Sequence, residues 1–462
     1  MKVLFAVAPA RDERLPSFTA PPLGLLYLAG AVEAAGFEAE LLDAPAQGIG
    51  WAEFERKVTE SKADIAALTG MTPIWDVTCR AAGILKNAGK FVVIGGPHAT
   101  MRGDSFFEAE KDIEADVAVV GEGEITFVEL LEAIEACKDL ADIPGVVTPA
   151  GAGPSRCLIE NLDDASVPAR RLLDHRLYTY PPLGPGPAST IFTSRGCPHA
   201  CVFCDKSVFG SKPRLHSADR VIEELEEIVC GAGVHSVIIY DDLFTIDRDR
   251  VIDICRRIVD KGLRFQWKCE ARADNVDLGM LEWMRRAGCR IVSYGIETVN
   301  NNGLRFLQKG TTAHDAARAV AMTRAARMEV LGYFLVGIPG EHIEDVEKTS
   351  RFAARWGVDW AQFSVLSPLE GTPLWSIAHR EGWYAQVDAT NPFDADLARP
   401  AVLDGYWTPE KLRKALYVAH RNFYGRPGYI ISRLWRAGGI RGAAGMMRRG
   451  LELIGWMRKT RA

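Results

Sequence analysis

The strongest constraint on this chain is a regular alternation of short apolar runs and helical patterns. It starts at Lys2, breaks near residue 150 and resumes near residue 189. Strands are expected at Lys2–Val7, Glu38–Leu42, Asp64–Leu68, Lys90–Ile94 and Asp116–Val119, with helices near Leu23–Ala35, Trp51–Ser61, Trp75–Ala88 and Ile125–Cys137. Alternation of this kind implies an α/β fold: a doubly wound, Rossmann-like parallel sheet with ligands at the carboxyl ends of its strands. The loops at those ends are Gly70-Met71-Thr72, Gly95-Gly96-Pro97-His98 and Gly121-Glu122-Gly123, each with glycine where backbone can approach a bulky ligand. Turn geometry alone also explains any one of them.

Residues 151–188 carry Pro154, Pro168, Pro181, Pro182, Pro185 and Pro187 and read as a Pro-rich linker. The second alternation has strands at Ser189–Ser194, His235–Tyr240, Arg264–Cys269, Cys289–Tyr294, Val330–Val336 and Asp359–Val365. Six such units are too few for a closed eight-stranded barrel and suit a partial (β/α)6 TIM-like one. Beyond about Thr372 helices are expected to dominate. The division is therefore 1–150, 151–188, 189–375 and a C-terminal helical, basic region at 376–462.

Directly after the first strand of the second alternation comes Cys197-Pro-His-Ala-Cys201-Val-Phe-Cys204. Three thiolates on one short loop suit three irons of a 4Fe–4S cluster, leaving the fourth iron open to an outside ligand. A structural zinc site is the alternative, but zinc wants four protein ligands and His199 sits poorly for a closed tetrahedron. The other seven cysteines are scattered, none at CxxC spacing, and read as buried free thiols. Ten cysteines with no secretory signal point to a reducing, cytoplasmic setting: the run Val3–Ala8 is short and meets Arg11, Asp12, Glu13 and Arg14.

Cys197, Cys201 and Cys204, with Phe203 before the last, resemble the CxxxCxxC signature of radical S-adenosylmethionine enzymes. The resemblance extends through Tyr240-Asp241-Asp242, Glu270-Ala-Arg272, Gly295-Ile296-Glu297-Thr298 and Gly332–Glu341, at the ends of the second to fifth strands. It implies a cluster that cleaves S-adenosylmethionine to a 5′-deoxyadenosyl radical, and an electron donor such as flavodoxin or ferredoxin. It assigns Phe203, Asp242, Glu270, Arg272, Glu297 and Ile338 to S-adenosylmethionine. Tyr294, Asp241 and Tyr333 stand near the expected barrel mouth as acid–base candidates, with a structural role equally open for each.

The first 150 residues resemble the cobalamin-binding domain that precedes the radical unit in a large subclass. Thr69, Gly70, Met71 and Thr72, then Gly95, Gly96, Pro97 and His98, then Gly121, Glu122 and Gly123 would hold the corrinoid. No histidine precedes His98, which reads as a loop-packing residue rather than a cobalt ligand, so the DxHxxG cobalt-ligating motif of other cobalamin domains is absent and cobalt is expected without a protein imidazole. The resemblance implies a methyltransferase that moves a methyl group from methylcobalamin to an unactivated carbon after hydrogen abstraction. The alternatives are an oxidative cyclase of the anaerobic magnesium-protoporphyrin ester cyclase group and a non-catalytic corrinoid carrier or sensor. A methylthiotransferase would need three N-terminal cysteines, and only Cys79 and Cys137 lie there.

Charge bears on partners. The total is −5, with no basic excess to suggest nucleic acid. From Glu410 onward thirteen Lys/Arg face two Asp/Glu, a local +11 that leaves −16 for the first 409 residues. Apolar residues including Tyr429, Ile430, Ile431, Leu434, Trp435 and Trp456 interleave with the tail's basic ones. Such a tail suits docking on the acidic body, peripheral contact with an anionic membrane, or an anionic small-molecule substrate. Trp356, Trp360, Trp375, Trp383 and Trp407 suit core packing or an apolar substrate pocket. No apolar run is long enough to span a bilayer.

Overall fold

The computed structural model describes residues 1–10, 20–387 and 399–436. The tail from 437, including Met446, Met447, Leu451, Leu453, Ile454 and Trp456, lies outside the described residues. The chain divides into two compact units: Met1–Pro198, Lys206–Cys269 and Arg286–Gly288 form the first, and His199–Asp205, Glu270–Arg285 and the residues from Cys289 onward form the second.

In the first unit, β1 (Lys2–Val7), β2 (Glu38–Asp43), β3 (Ile65–Thr69), β4 (Phe91–Gly95) and β5 (Val117–Val119) form a parallel sheet in the order 2-1-3-4-5. Antiparallel β6 (Val146–Thr148) and β7 (Gly151–Ala152) extend its edge. The helices between are α1 (Leu23–Ala34), α2 (Ala44–Gln47), α3 (Trp51–Glu60), α4 (Trp75–Asn87), α5 (Pro97–Arg102), α6 (Phe106–Ala109) and α7 (Gly123–Glu135). Alternate residues feed opposite cores. Leu4, Ala6, Ala66, Leu68, Val92 and Ile94 pack on one face, and Val3, Phe5, Ile65, Ala67, Val93 and Val117 on the other. Burial on both faces explains why these strands read as continuous apolar runs. Helix α5 falls where the sequence suggested only a loop. Pro97 at its first position was the available signal, because a missing N–H costs nothing there.

The Pro-rich stretch is a packed strap with four 3-10 turns between Leu162 and Leu183. The Ala169 amide donates to the Leu26 carbonyl (2.9 Å), Tyr178 Oη donates to Asp43 (2.9 Å), and buried Arg170 pairs with Glu224 and Ser189. These partners span the first sheet and the start of the second alternation, so the strap joins them through buried polar contacts.

The second alternation is present. In the first unit β8 (Ala188–Ile191) pairs in parallel with β11 (Ser236–Ile239), and β11 with β12 (Gln266–Ala271). A short antiparallel ribbon, β9 (Ser194–Arg195) with β10 (Arg214–Leu215), brackets the cysteine loop. Helices α8 (Ala218–Glu226) and α9 (Arg248–Asp260) follow. The second unit holds parallel β13 (Cys289–Glu297), β14 (Glu329–Val336) and β15 (Trp360–Val365), with α10 (Leu278–Arg286), α11 (Asn301–Phe306), α12 (Ala313–Ala325), α13 (Ile343–Trp356) and α14 (Pro373–Arg380). β14 alternates strictly. Val330, Gly332, Phe334 and Val336 are buried, whereas Leu331, Tyr333 and Leu335 face a half-open side. The expected all-helical end is corrected by an antiparallel pair, β16 (Tyr384–Val387) with β17 (Arg399–Val402), ahead of α15 (Pro409–Tyr424) and α16 (Pro427–Arg436). Each strand has four residues, too few for a period-2 signal to register.

Gly30 tests the seating of the strap. A Cβ there would lie 1.8 Å from the Val167 carbonyl oxygen, whereas one at Gly24 on the same helix meets nothing within 4 Å. Gly30→Ala is expected to cost about 2–3 kcal/mol and lower the thermal midpoint of the whole chain by several degrees. Gly24→Ala should leave it unchanged or slightly raised. Equal midpoints for the two variants would show that the strap is not seated on α1.

Candidate functional site

The three loops at the carboxyl edge of the first sheet are built by close backbone approach. The Gly70 amide donates to the Gly95 carbonyl (2.8 Å) and the His98 amide to the Gly70 carbonyl (3.1 Å). Gly96 has φ +91°, and a Cβ there would meet Thr69 Oγ1 at 2.5 Å and Gly70 backbone at 3.1 Å, so only glycine fits. Gly121 also has positive φ, and space is open above it. Its amide donates to Thr100 Oγ1 (3.0 Å). Met71 is half exposed at this edge, an apolar side chain left uncovered. Glycine-lined backbone, open space and an exposed apolar side chain fit a large flat ligand.

Two residues expected at this edge are otherwise engaged. His98 is buried, stacks on Trp75 (4.0 Å between centroids), and has its ring nitrogens on Thr72 Oγ1 and Glu110, each at 3.0 Å. It is a packing residue, and both nitrogens are occupied. Glu122 is also buried. It accepts from Arg195 (2.8 Å), Arg214 (2.7 Å) and the Ile159 amide (2.8 Å), while Arg195 also reaches Glu124 (2.6 Å). Burial alone would raise the Glu122 carboxyl, but the two guanidiniums outweigh it and hold it below its ordinary range. Three donors therefore already engage its carboxylate. Sequence reading missed this because the partners lie 73 and 92 positions away.

The residues around Cys197 are fixed by acids at the end of β11. Asp241 is fully buried and accepts from the Thr193 amide and hydroxyl and from Ser194 Oγ, and burial raises its carboxyl. Asp242 accepts from the Gly196 amide (3.0 Å). Gly196 has φ +86°, and a Cβ would lie 2.5 Å from the Lys212 carbonyl. Asp241 therefore holds a turn, and this replaces its acid–base candidacy. No disulfide joins any of the ten cysteines. Cys197 and Cys201 are half buried and Cys204 exposed; of the others, Cys137, Cys157 and Cys230 are exposed, against the expectation of burial. Among the described residues no three His, Cys, Asp or Glu side chains converge on a single ion. Three thiolates on one short loop suit a 4Fe–4S cluster, in which each thiolate takes its own iron. The donor set fits the cluster.

In the second unit, Val202 anchors the loop that carries Cys201 and Cys204. Its amide donates to the Leu307 carbonyl (3.1 Å), and its carbonyl accepts from the Leu374 amide (2.9 Å). Its side chain joins Leu307, Ile338, Leu366, Leu374 and Val402 in a buried cluster, with Phe203 packed against it. Ile338 is thus a core residue, and its carbonyl accepts from the buried Trp407 Nε1 (3.0 Å). Glu297, at φ +64°, pairs with Lys309 (2.7 Å). The Lys309 ammonium also lies 5.8 Å from the Phe203 ring centroid. Burial would lower the Lys309 pKa, but Glu297 and the Cys201 sulfur outweigh it and raise it. No motif pointed to Lys309, and only its ion pair reveals it. Arg272 is held by Asp274 (2.9 Å) and the Lys309 carbonyl (2.8 Å). Tyr333 donates to Glu270 (3.2 Å) on the half-open side of β14. Tyr294 is fully buried with its hydroxyl on Thr323 of α12 (2.8 Å), a packing position away from that side.

The sequence matches the Radical SAM superfamily over residues 191–353 and the B12 binding domain over residues 16–131. It is 32% identical to the uncharacterized methyltransferase PH0819 of Pyrococcus horikoshii, over 95% of this chain and 96% of that one. It is 29% identical to the anaerobic magnesium-protoporphyrin IX monomethyl ester cyclase of Cereibacter sphaeroides, over 91% of this chain and 69% of the cyclase. Its fold matches the radical S-adenosylmethionine methyltransferase TsrM of Kitasatospora setae, solved with cobalamin and a [4Fe-4S] cluster. The TM-score is 0.73 at 17% identity, covering 100% of this chain and 99% of TsrM.

The loop after β14 offers a pH test. Burial pushes the Glu341 carboxyl up to about 8 from 4.5, with Thr298 Oγ1 (2.8 Å) partly opposing and Asp345 adding to the rise. The folded chain then keeps a proton that the unfolded chain releases above its ordinary value. The associated stability is complete below about pH 4.5 and is lost as pH climbs through about 8. Thermal midpoints of the parent should therefore fall relative to Glu341→Gln between pH 5 and 8.5. Parallel profiles would contradict a protonated, buried Glu341.

Proposed function

The chain belongs to the cobalamin-dependent radical S-adenosylmethionine enzymes, and from that membership we propose that it methylates an unactivated carbon of a small-molecule substrate. Its cofactors are a 4Fe–4S cluster, S-adenosylmethionine and cobalamin. Together they supply a methyl donor and a 5′-deoxyadenosyl radical, chemistry beyond any side chain. One observation carries the choice of methylation: a relative named as a methyltransferase aligns along 96% of its own length, whereas the cyclase extends well beyond the aligned part.

In this reading residues 1–150 are the cobalamin domain, 151–188 the connector, 189–375 the radical domain and 376–462 the C-terminal region. Cys197, Cys201 and Cys204 hold the cluster. Glu270 and Arg272, at the end of β12, and Glu297, Lys309 and Phe203 form the polar and aromatic surroundings that orient S-adenosylmethionine, with Asp242 holding the turn before Cys197. Thr69, Gly70, Met71 and Thr72 with Gly95, Gly96, Pro97, Gly121 and Gly123 line the corrinoid. An electron donor of the flavodoxin or ferredoxin kind supplies the reducing equivalent.

Anaerobically reconstituted protein, supplied with reductant, cobalamin, isotopically methyl-labelled S-adenosylmethionine and a small-molecule extract, should transfer label to a carbon-bound methyl group. An unlabelled, oxidised product would favour the cyclase reading, which the 29% identity to a cyclase supports. Cys201→Ala should abolish both cluster absorbance and deoxyadenosine formation. Continued cleavage in that variant would refute the cluster assignment.

The C-terminal region adds a second element to the proposal: peripheral contact with an anionic membrane. A groove of about 430 Å3 is lined by Lys348, Arg351, Arg355, Arg426 and Phe352, and Ile430 and Ile431 on α16 are 48% and 58% exposed. No helix among the described residues is long and apolar enough to cross a membrane. The full chain should float with vesicles containing phosphatidylglycerol and stay behind with phosphatidylcholine alone. Ile430→Ser with Ile431→Ser should weaken flotation several-fold. Equal recovery with both vesicle types, or with none, would remove the membrane from the account.

A further inference from the structure

The ribbon that opens and closes the cysteine segment contains an electrostatic conflict. Arg195 on β9 and Arg214 on β10 are direct cross-strand partners. Directly opposed residues of an antiparallel pair project to the same face, and like charges so placed repel. Both side chains are almost fully buried, at 2% and 4% exposure, so water does little to screen that repulsion. The neutralising charge comes from elsewhere in the chain: Glu122 places one carboxylate oxygen on each guanidinium, at 2.8 and 2.7 Å. Glu124 takes the second terminal nitrogen of Arg195 (2.6 Å), giving two carboxylates against two guanidiniums.

The rest of the surroundings hold this arrangement. The Arg195 guanidinium lies 5.0 Å from the Tyr27 ring centroid and 5.2 Å from that of Phe209. Arg214 also donates to the carbonyls of Ile159 (2.6 Å) and Phe209 (3.0 Å). The residue after Arg195 is Gly196, and the next is Cys197, whose amide donates to the Gly210 carbonyl (3.4 Å). On the other side, Glu122 lies between Gly121 and Gly123 in the loop after β5, one of the three loops at the carboxyl edge of the first sheet.

We infer that Glu122 is a positioning residue: by neutralising the Arg195–Arg214 pair it closes the ribbon that presents Cys197, and so ties the cysteine segment to the loop beside the corrinoid. The coupling between corrinoid and ribbon rests on the cobalamin reading, but the dependence of the ribbon on Glu122 does not. Loading the corrinoid loop orders Gly121–Gly123, the carboxylate between them is steadied, and the ribbon opens less often. Removing the carboxylate's charge leaves Glu124 alone against two opposed, buried guanidiniums, with Arg214 lacking a carboxylate partner, and the base of the cysteine segment loosens.

The test is amide hydrogen exchange on the full apo-chain, with and without hydroxocobalamin, followed by iron and sulfide content after reconstitution. In the parent, cobalamin should slow exchange at residues 194–198 and 206–215 at least three-fold. Glu122→Gln should exchange faster there by about ten-fold without cobalamin, lose the cobalamin effect, and take up less than half the cluster. Glu129→Gln serves as the control. Glu129 lies on α7, the helix that Glu122 precedes; the variant breaks its ion pair with Arg156, beyond β7, and should behave as the parent. If Glu122→Gln does not fold, Arg214→Lys supplies the milder variant, with an intermediate exchange rate and cluster content. Unchanged exchange and full cluster content in the folded Glu122 or Arg214 variant would overturn the inference. So would protection of the ribbon by cobalamin that persists in Glu122→Gln. A parent that fails to change cobalamin absorbance counts against the cobalamin reading alone, and the variants' exchange in the absence of cobalamin still decides the role of Glu122.

Discussion

A buried carboxylate shared by two opposed arginines is the interaction on which the organisation around Cys197 depends. Its net worth in stability is modest by nature, since burying charges costs nearly as much as their attraction returns. Removing one partner is the severe change, because the remaining charges cannot reach water. Such a cluster gives specificity more than strength: one geometry satisfies all four charges, and alternatives leave one unpaired. Arg195, Arg214, Glu122 and Glu124 come from two strands and one loop-helix junction, so satisfying them sets those elements in a single register.

A second constraint is directional. Parallel strands place all their carboxyl ends on one edge, and loops there collect whatever chemistry the chain carries. The first sheet uses that edge for glycine backbone, open space and Met71. The later strands use it for Asp241, Asp242, Glu270 and Glu297. Several of these acids fix backbone: Asp241 holds Thr193 and Ser194, and Asp242 holds Gly196. Support of this kind is what a thiolate triad on a short loop requires, because the loop itself is too short to hold its own geometry.

Much of this was legible in the sequence. The two alternations, the cysteine spacing and the loops at the first sheet's edge follow from period and composition, and the structure contains the corresponding elements. Partnership was not legible. A strand-end acid looks the same whether it meets a ligand or, like Glu122, a pair of arginines far along the chain. His98 was legible as a loop-packing residue and Tyr294 as either structural or catalytic, but their partners, Thr72 with Glu110 and Thr323, were not. Lys309 had no motif around it, and its significance arises only where Glu297 and Phe203 converge on it. Short antiparallel pairs such as β16 with β17 escaped because a few residues cannot establish a period.

The proposed methylation requires S-adenosylmethionine in two ways, as a methyl donor toward cobalamin and as a source of radical. That claim can be tested before any substrate is known. Reconstituted enzyme is mixed with chemically reduced cobalamin and methyl-labelled S-adenosylmethionine, and the label, S-adenosylhomocysteine and 5′-deoxyadenosine are each quantified. The account predicts label on cobalamin in equal amount to S-adenosylhomocysteine, together with slower, cluster-dependent deoxyadenosine. Deoxyadenosine with no labelled cobalamin and no S-adenosylhomocysteine would contradict it.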